Sequence, residues 1–382
     1  MIKKQTIEYK IVSLIGLAGE MQTEELYKLK YGKEYIRKTI SKLITKKYIK
    51  VYKFENKKYL RLTVACKRYL RENHSDRFEN MFDGASRTNK VRTAENRRIR
   101  NHRLSELLIL LDLADVKIFA DEKSLMDKTH GFERTDGTDP ADYCAEKSTA
   151  EFYTSDELKA AGLFKNARTS RAMGVIFSYP DVYIVYNFAD EVLEMEYKTE
   201  ETFLYRTGNT FYGELQGKHC YEYAKVIFVG NSMNLINKML KARKGAVKKI
   251  FHSHNDYWHI YFLDTSKRPI EHLKYIINKT YRQKIEQATY KGFNSVFDEK
   301  YNMYVGVSKD HAATILDWTD CDIIALNNTK WLYINGSDYR RILKIVCFEF
   351  QMPFVQKFFG NDDNIEYYQY NSEKILGTED TR

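Results

Sequence analysis

Between residues 173 and 263 the chain alternates apolar runs of strand length with longer amphipathic stretches, and this alternation narrows the fold more than any other feature. Met173–Ser178, Val182–Phe188 and Val192–Tyr197 follow one another closely and are rich in β-branched and aromatic residues, which predicts three strands. Tyr223–Gly230, apolar from Val226 to Val229, reads as a buried fourth, and Tyr257–Leu263 as another. Helices are expected at Met233–Ala242 and Glu271–Gln287. One more is expected from Thr154-Ser155-Asp156-Glu157, a capping box in which hydroxyl and carboxylate satisfy each other's backbone N–H. The order α-β-β-β-(α)-β-α predicts a mixed α/β arrangement, α+β overall, rather than a regular βαβ repeat. Tyr304–Val307, Ile323–Leu326 and Trp331–Ile334 read as further α/β material and Arg340–Phe348 as a helix, with no internal repeat standing out.

The first part of the chain has a different character. Residues 1–103 hold 27 Lys+Arg and 11 Asp+Glu, a net of +16, while the remaining 279 hold 35 and 41, a net of −6. A cationic front end on a near-neutral body points to a polyanionic partner. The pattern over residues 1–73 predicts a winged helix-turn-helix. Lys4–Leu17 is a helix, Thr23 caps a second, and a third follows Gly32 with Ile36, Ile40, Leu43 and Ile44 on one face. Its other faces carry Arg37, Lys38, Ser41, Lys42, Thr45 and Lys46. Ile49–Phe54 and Lys58–Leu62 then alternate as a hairpin around Glu55-Asn56-Lys57, and Thr63 caps a closing helix. The third helix is expected in the major groove of double-stranded DNA, with Lys53, Lys57 and Lys58 of the wing on phosphate. The bland alternative is a solvated basic face or a protein-docking domain. Residues 74–115 read as a linker followed by a basic helix over 91–113, whose Arg97 and Arg100 are candidates for phosphate contact.

Other classes lose support. No run approaches about 18 consecutive apolar residues, so no membrane span is expected, and Met1–Glu8 lacks the apolar core of a secretory signal. The five cysteines are scattered and odd in number, as expected of reduced thiols in a cytoplasmic protein. No GxxxxGK[ST], GxGxxG or GxSxG motif occurs. His252, His254 and His259 read as a strand and its turn rather than a metal site. Tyr205 and Tyr212 read as packing or base-stacking residues, and Ser170-Arg171 and the basic run Lys241–Lys249 as possible phosphate contacts.

One constellation carries chemistry. Asp181, behind Pro180, opens one expected strand, and Glu196-Tyr197-Lys198 closes the next. Alternation would put Glu194, Glu196 and Lys198 on one face. Two facing carboxylates repel, and a divalent cation relieves the repulsion by taking both as oxygen ligands. A half-exposed charged hairpin is the structural alternative. Pro180-Asp181 with Glu196-Tyr197-Lys198 on an α-β-β-β frame resembles the PD-(D/E)xK, restriction-endonuclease-like nucleases. With a basic winged helix in front, it is similar to the MobC-class relaxases of the replication-relaxation family, and the helix containing His102 resembles that family's junction helix.

The resemblance implies a nuclease core at 116–265 and leaves 266–382 as a C-terminal α/β extension. It implies metal-dependent nicking of DNA at an origin of transfer or replication of a mobile element, in conjugation or plasmid mobilisation. Mg²⁺ or Mn²⁺ would sit on Asp181 and Glu196, Lys198 would face phosphate or water, and Glu157 would be the helix acid. The partners implied are duplex DNA with a single-stranded or nicked site and other mobilisation proteins. A non-enzymatic DNA-binding regulator or mobilisation accessory protein is the alternative. The HxHxxxH triad of other relaxases is absent, so their tyrosine chemistry is not implied.

Overall fold

A computed structural model describes residues 2–54, 56–78, 81, 95–123, 150–160, 170–178, 181–192, 195, 197–212, 224–241, 259–297, 305–335, 341–360 and 362–377. The fold is mixed α/β, as the alternation predicts, in two compact units, Met1–Leu163 and Phe164–Thr381.

In the first unit, α1 (Ile7–Ala18) starts where the Thr6 hydroxyl accepts from the Tyr9 N–H and ends at Gly19, whose φ of 75° a side chain would resist. It is followed by β1 (Met21–Gln22), α2 (Thr23–Leu26), α3 (Lys33–Thr45), β2 (Ile49–Phe54) and β3 (Lys57–Leu62). The strands form an antiparallel sheet in the order β1-β3-β2, and Asn56, at φ 61°, turns the hairpin. Burial of Ile36, Thr39, Ile40 and Leu43 seats α3 by one face. Ile44, expected on that face, is exposed instead. Thr63 caps α4 (Val64–Asn73) as expected, its hydroxyl accepting from the Cys66 N–H. The polar stretch expected to be a linker begins instead with a buried anchor, α5 (Ser75–Phe78). Phe78 is fully buried there, and Arg77 pairs with Asp121 at 2.6 Å and Glu122 at 2.7 Å while lying over the Tyr9 and Phe119 rings. α6 (Glu95–Leu113) packs on α1 through its buried Leu107–Leu111 run. Beyond α6 a single bridge joins Lys117 to Glu151 of β4 (Glu151–Thr154), ahead of α7 (Ser155–Ala160).

The second unit contains one arrangement twice. In the first half, β5 (Gly174–Ser178) and β6 (Asp181–Ala189) form an antiparallel hairpin. From β6 the chain crosses through α8 (Tyr197–Tyr212) to β7 (Ala224–Gly230), and through α9 (Asn234–Leu240) to β8 (Ile260–Asp264). β6, β7 and β8 are parallel neighbours, followed by α10 (Pro269–Ile277) and α11 (Lys279–Gly292). In the second half, β9 (Ser295–Phe297), β10 (Gly306–Ser308) and β11 (Ala313–Asp317) are antiparallel. From β11 the chain crosses through α12 (Ile323–Asn335) to β12 (Ile342–Phe348), and through α13 (Met352–Phe359) to β13 (Ile365–Tyr370). β11, β12 and β13 are parallel, and α14 (Ser372–Leu376) follows.

The two halves correspond residue by residue. Tyr183 lies opposite Ile176 and Lys225, and Ile315 lies opposite Gly306 and Lys344. Six residues beyond each, Ala189 and Cys321 take matching positive φ values of 53° and 58°. From Lys225 and Lys344 the chains run without a gap through the next helix, placing Met233 on Met352 and Lys238 on Lys357. The repeat that the sequence hides is therefore one of topology and register.

Three expected elements differ. At its described residues the run Val192–Tyr197 is not a strand: Val192 and Met195 lie outside one, and Tyr197 begins α8. The positive φ at Ala189 and the bulge between Asn187 and Ala189 end β6. Glu200, buried one turn into α8, then fixes the helix by accepting from Ser170 Oγ at 2.8 Å, the Arg171 N–H at 2.8 Å and Tyr186 Oη at 2.7 Å. Residues 323–335 are one helix rather than separate runs, and 342–348 is a strand because it lies between two parallel neighbours with Leu343 and Ile345–Phe348 buried. At the end of β7, a Cβ on Gly230 would lie 2.6 Å from Leu235 Cδ1 and 2.9 Å from Phe262 Cζ, both in packed side chains. Gly230→Ala is expected to lower stability by about 1–3 kcal/mol in denaturant unfolding, by overpacking.

Candidate functional site

The first unit presents a basic surface on two elements. On α3 the exposed residues Tyr35, Lys38, Ser41, Lys42 and Thr45 follow helical spacing opposite the buried Ile36, Ile40 and Leu43. Lys46 is also exposed, as are Lys53, Lys57 and Lys58 of the β2–β3 hairpin. Two of the expected contacts are already engaged. Arg37 Nη2 lies 2.7 Å from Glu34, and Lys42 Nζ lies 2.5 Å from Glu8, whose hydrogen bond and charge raise the lysine pKa. Arg100 is half-buried on α6, and the Arg97 side chain lies outside the described residues.

The hairpin is tied to α6 through Glu20, which is almost wholly buried. Its carboxylate accepts from Arg61 of β3, with Nε at 2.5 Å, from Arg98 at 2.7 Å, and meets His102 Nε2 at 3.2 Å. Arg98 stacks on Phe54 at 3.9 Å, Arg61 on Tyr52 at 4.4 Å, and His102 on Tyr59 at 3.9 Å. Burial alone would raise the Glu20 pKa. The hydrogen bonds from His102, Arg98 and Arg61 outweigh it and hold the carboxyl at about 2, against 4.5 for the free side chain. A depressed carboxyl pKa stabilises above the unfolded value and ceases to do so as pH falls through the folded one. Between pH 4.5 and 2 the wild type should therefore lose about 3 kcal/mol that Glu20→Gln does not, measured as denaturant stability against pH.

Of the four expected catalytic residues, Glu157 and Asp181 are described with their side chains. Glu157 belongs to the first unit and completes the capping box. It accepts from the Thr154 N–H at 2.7 Å and Thr154 Oγ1 at 2.8 Å, and pairs with Lys123 at 2.5 Å. Glu196 lies outside the described residues, as does the Lys198 side chain, whose backbone is in the first turn of α8. Asp181 alone is in a chemically rich setting. It is fully buried at the head of β6.

Three cations surround it: Lys225 of β7 at 2.7 Å, Lys279 of α11 at 3.6 Å and Arg282 of α11 at 3.7 Å. Tyr183 Oη donates to Oδ2 at 3.1 Å, while Oδ1 has no hydrogen-bond partner among the described residues. Burial would raise the Asp181 pKa, but Lys225, Lys279 and Arg282 outweigh it and lower it. Burial brings Lys225 down to about 8 against the pull of Asp181, helped by the positive charges of Arg282 and Lys279. At the mouth, Arg282 Nε is 3.7 Å from Asp320, whose pKa rises well above normal through burial and the neighbouring Asp322. Asp322 in turn holds His259 Nδ1 at 2.6 Å, and burial lowers that histidine's pKa.

This chamber is built from β6, β7 and α11, which explains why sequence reasoning did not assemble it. Its one visible signal is Lys225, a lone lysine in an otherwise apolar strand. Among the described residues no group of three or more His, Cys, Asp or Glu is arranged to hold a metal ion. Ser170 and the Arg171 N–H, read as possible phosphate contacts, are engaged by Glu200. Tyr205 is exposed on α8. His252, His254 and residues 242–249 lie outside the described residues, as does the Tyr212 side chain. No helix among the described residues is long and apolar enough to cross a membrane. Compared with protein-family models, curated proteins and solved structures, the chain matches none.

Proposed function

We propose that the protein binds double-stranded DNA through its first unit, which we read as a winged helix with α3 entering the major groove and the β2–β3 hairpin lying on the backbone. The observation that carries this reading is the exposed Lys38–Ser41–Thr45 stripe on a helix whose opposite face is buried. The element order, the sheet order β1-β3-β2 and the charge of +16 over residues 1–103 support it. DNA affinity should fall steeply with salt. Lys38→Ala with Lys46→Ala should reduce the slope of log K against log salt by about 0.9 for each phosphate that the protein ceases to neutralise, while Lys291→Ala on the second unit leaves it unchanged. Fluorescence anisotropy with a duplex oligonucleotide reads this directly, and a flat salt response sinks the reading.

Metal-dependent nicking is the second reading, favoured by the position of Asp181 at a hairpin strand end beside a lysine of the neighbouring parallel strand. The cations already around Asp181 make it a poor ligand for another cation, so we place binding ahead of cutting. Supercoiled plasmid incubated with the protein and Mg²⁺ or Mn²⁺ should stay supercoiled, and duplex binding should persist in EDTA. Nicked product that disappears in Asp181→Asn would reverse this order.

A further inference from the structure

Four helical threonines of this chain return their hydroxyl to the carbonyl four residues back: Thr39 to Tyr35, Thr45 to Ser41, Thr207 to Phe203 and Thr289 to Ile285. That local bond is a ready way for a helix to satisfy a threonine. Thr329, in the middle of α12, departs from it. Its hydroxyl is buried and makes no hydrogen bond among the described residues. The hydroxyl of Thr314 on β11 is in the same condition. Both residues are more than nine-tenths buried, Thr329 at 3% exposure and Thr314 at 7%.

The two threonines meet at one place. Alternation along β11 turns Ala313 and Ile315 toward Tyr290 of α11, and Thr314 to the opposite face, where α12 packs. There Thr314 and Thr329 line one cavity, walled also by Val305 and Leu343, and Tyr333 and Arg341 bring further polar atoms to it. The cavity leaves about 10 Å³ in which a small molecule can be centred, which matches a single water. A hydroxyl buried in a dry site loses its hydration and regains nothing. The first half of the unit shows that the fold does not require one here. The strand registers place Val182 where Thr314 stands and Ala224 where Leu343 stands, and Val182 is fully buried. Valine has the shape of threonine without the hydroxyl, so the hydroxyl at 314 calls for a partner that apolar packing does not supply.

We propose that this cavity is a binding site for one internal water molecule, held between the Thr314 and Thr329 hydroxyls, so that the water joins helix α12 to strand β11. A hydroxyl both donates and accepts, and two of them can fix the orientation of a water. The polar lining separates this site from an apolar cavity of similar size, which stays dry. Its size excludes a hydrated cation or a polyatomic anion. The proposal is independent of the DNA reading of the first unit.

A crystal structure of the full chain tests it directly: one density peak of water height should lie about 2.8 Å from both hydroxyl oxygens. An empty cavity would overturn the proposal, and so would a peak that gains anomalous signal in bromide-soaked crystals, because the occupant is then a halide. Thermal unfolding of the full chain forms a second arm, since a wet and a dry site give opposite signs. With the water in place, Thr314→Val or Thr329→Val removes one of its partners and should lower the midpoint by about 2–4 °C. The double variant should lower it by less than the two shifts added, because either change alone already releases the water. In a dry site each change removes only an unbonded hydroxyl. An unchanged or raised midpoint in either single variant, or fully additive losses in the double variant, therefore sinks the proposal. If a variant does not fold, the crystal structure of the unaltered chain decides alone.

Discussion

A carboxylate taken out of water must find its donors within the protein, and three buried carboxylates organise much of this molecule. Glu20 joins the end of α1, strand β3 and helix α6 through Arg61, Arg98 and His102. Glu200 joins α8 to β6 and to the segment before β5 through Tyr186, Ser170 and the Arg171 N–H. Asp181 joins β6, β7 and α11. Each lies where elements distant in sequence meet, and in each the partners outnumber what a simple ion pair needs. The first two are fully engaged and act as fasteners. The third keeps an oxygen without a hydrogen bond among the described residues.

The repeated arrangement in the second unit gives this distinction an internal standard. Both halves solve the same problem: an antiparallel hairpin leads into parallel strands, which need long crossover connections, and both crossovers of each half contain a helix. Both use a residue at positive φ to leave the strand, Ala189 in one and Cys321 in the other. Both place a lysine on the central parallel strand. Lys344 remains near the surface, 3.6 Å from Glu366 and beside the Phe293 and Tyr368 rings, whereas Lys225 is drawn inward by Asp181. One pair of positions, Asp181 and Tyr183 against Ala313 and Ile315, thus converts an apolar contact with α11 into a charged chamber.

The sequence carried the local rules well and the long-range ones poorly. The burial of α3, the Thr63 cap, the Glu157 capping box and strands β5 to β7 are set by spacing and by short-range hydrogen bonds, so they were legible. The stretch from Val192 to Lys198 alternates as a strand would, but Glu200 just beyond it is held by Ser170, 30 residues away, and that contact places the chain in a helix. Residues 342–348 suit either a helix or a strand until two parallel neighbours claim their backbone. The chamber was illegible for the same reason. Lys225 lies 44 residues from Asp181, and Arg282 lies farther still.

Net charge alone overstates the cationic surface that the first unit would offer to the proposed DNA. Many of its cations are engaged within the unit: Lys10 with Asp112, Lys28 with Glu25, Arg37 with Glu34, Lys42 with Glu8, and Arg61 and Arg98 with Glu20. A phosphate approaching these must compete with a carboxylate already in place, so each contributes less than a full counterion's release. Lys38, Lys46, Lys53, Lys57 and Lys58 make no ion pair among the described residues, and they fall on α3 and the hairpin alone. The internal acids thereby reduce the charge that α3 and the hairpin could offer a polyanion, without confining it to them, since Lys3, Lys47 and Arg68 are exposed as well. At Asp181, too, the cations already face acids in place, since Arg282 is shared between Asp181 and Asp320.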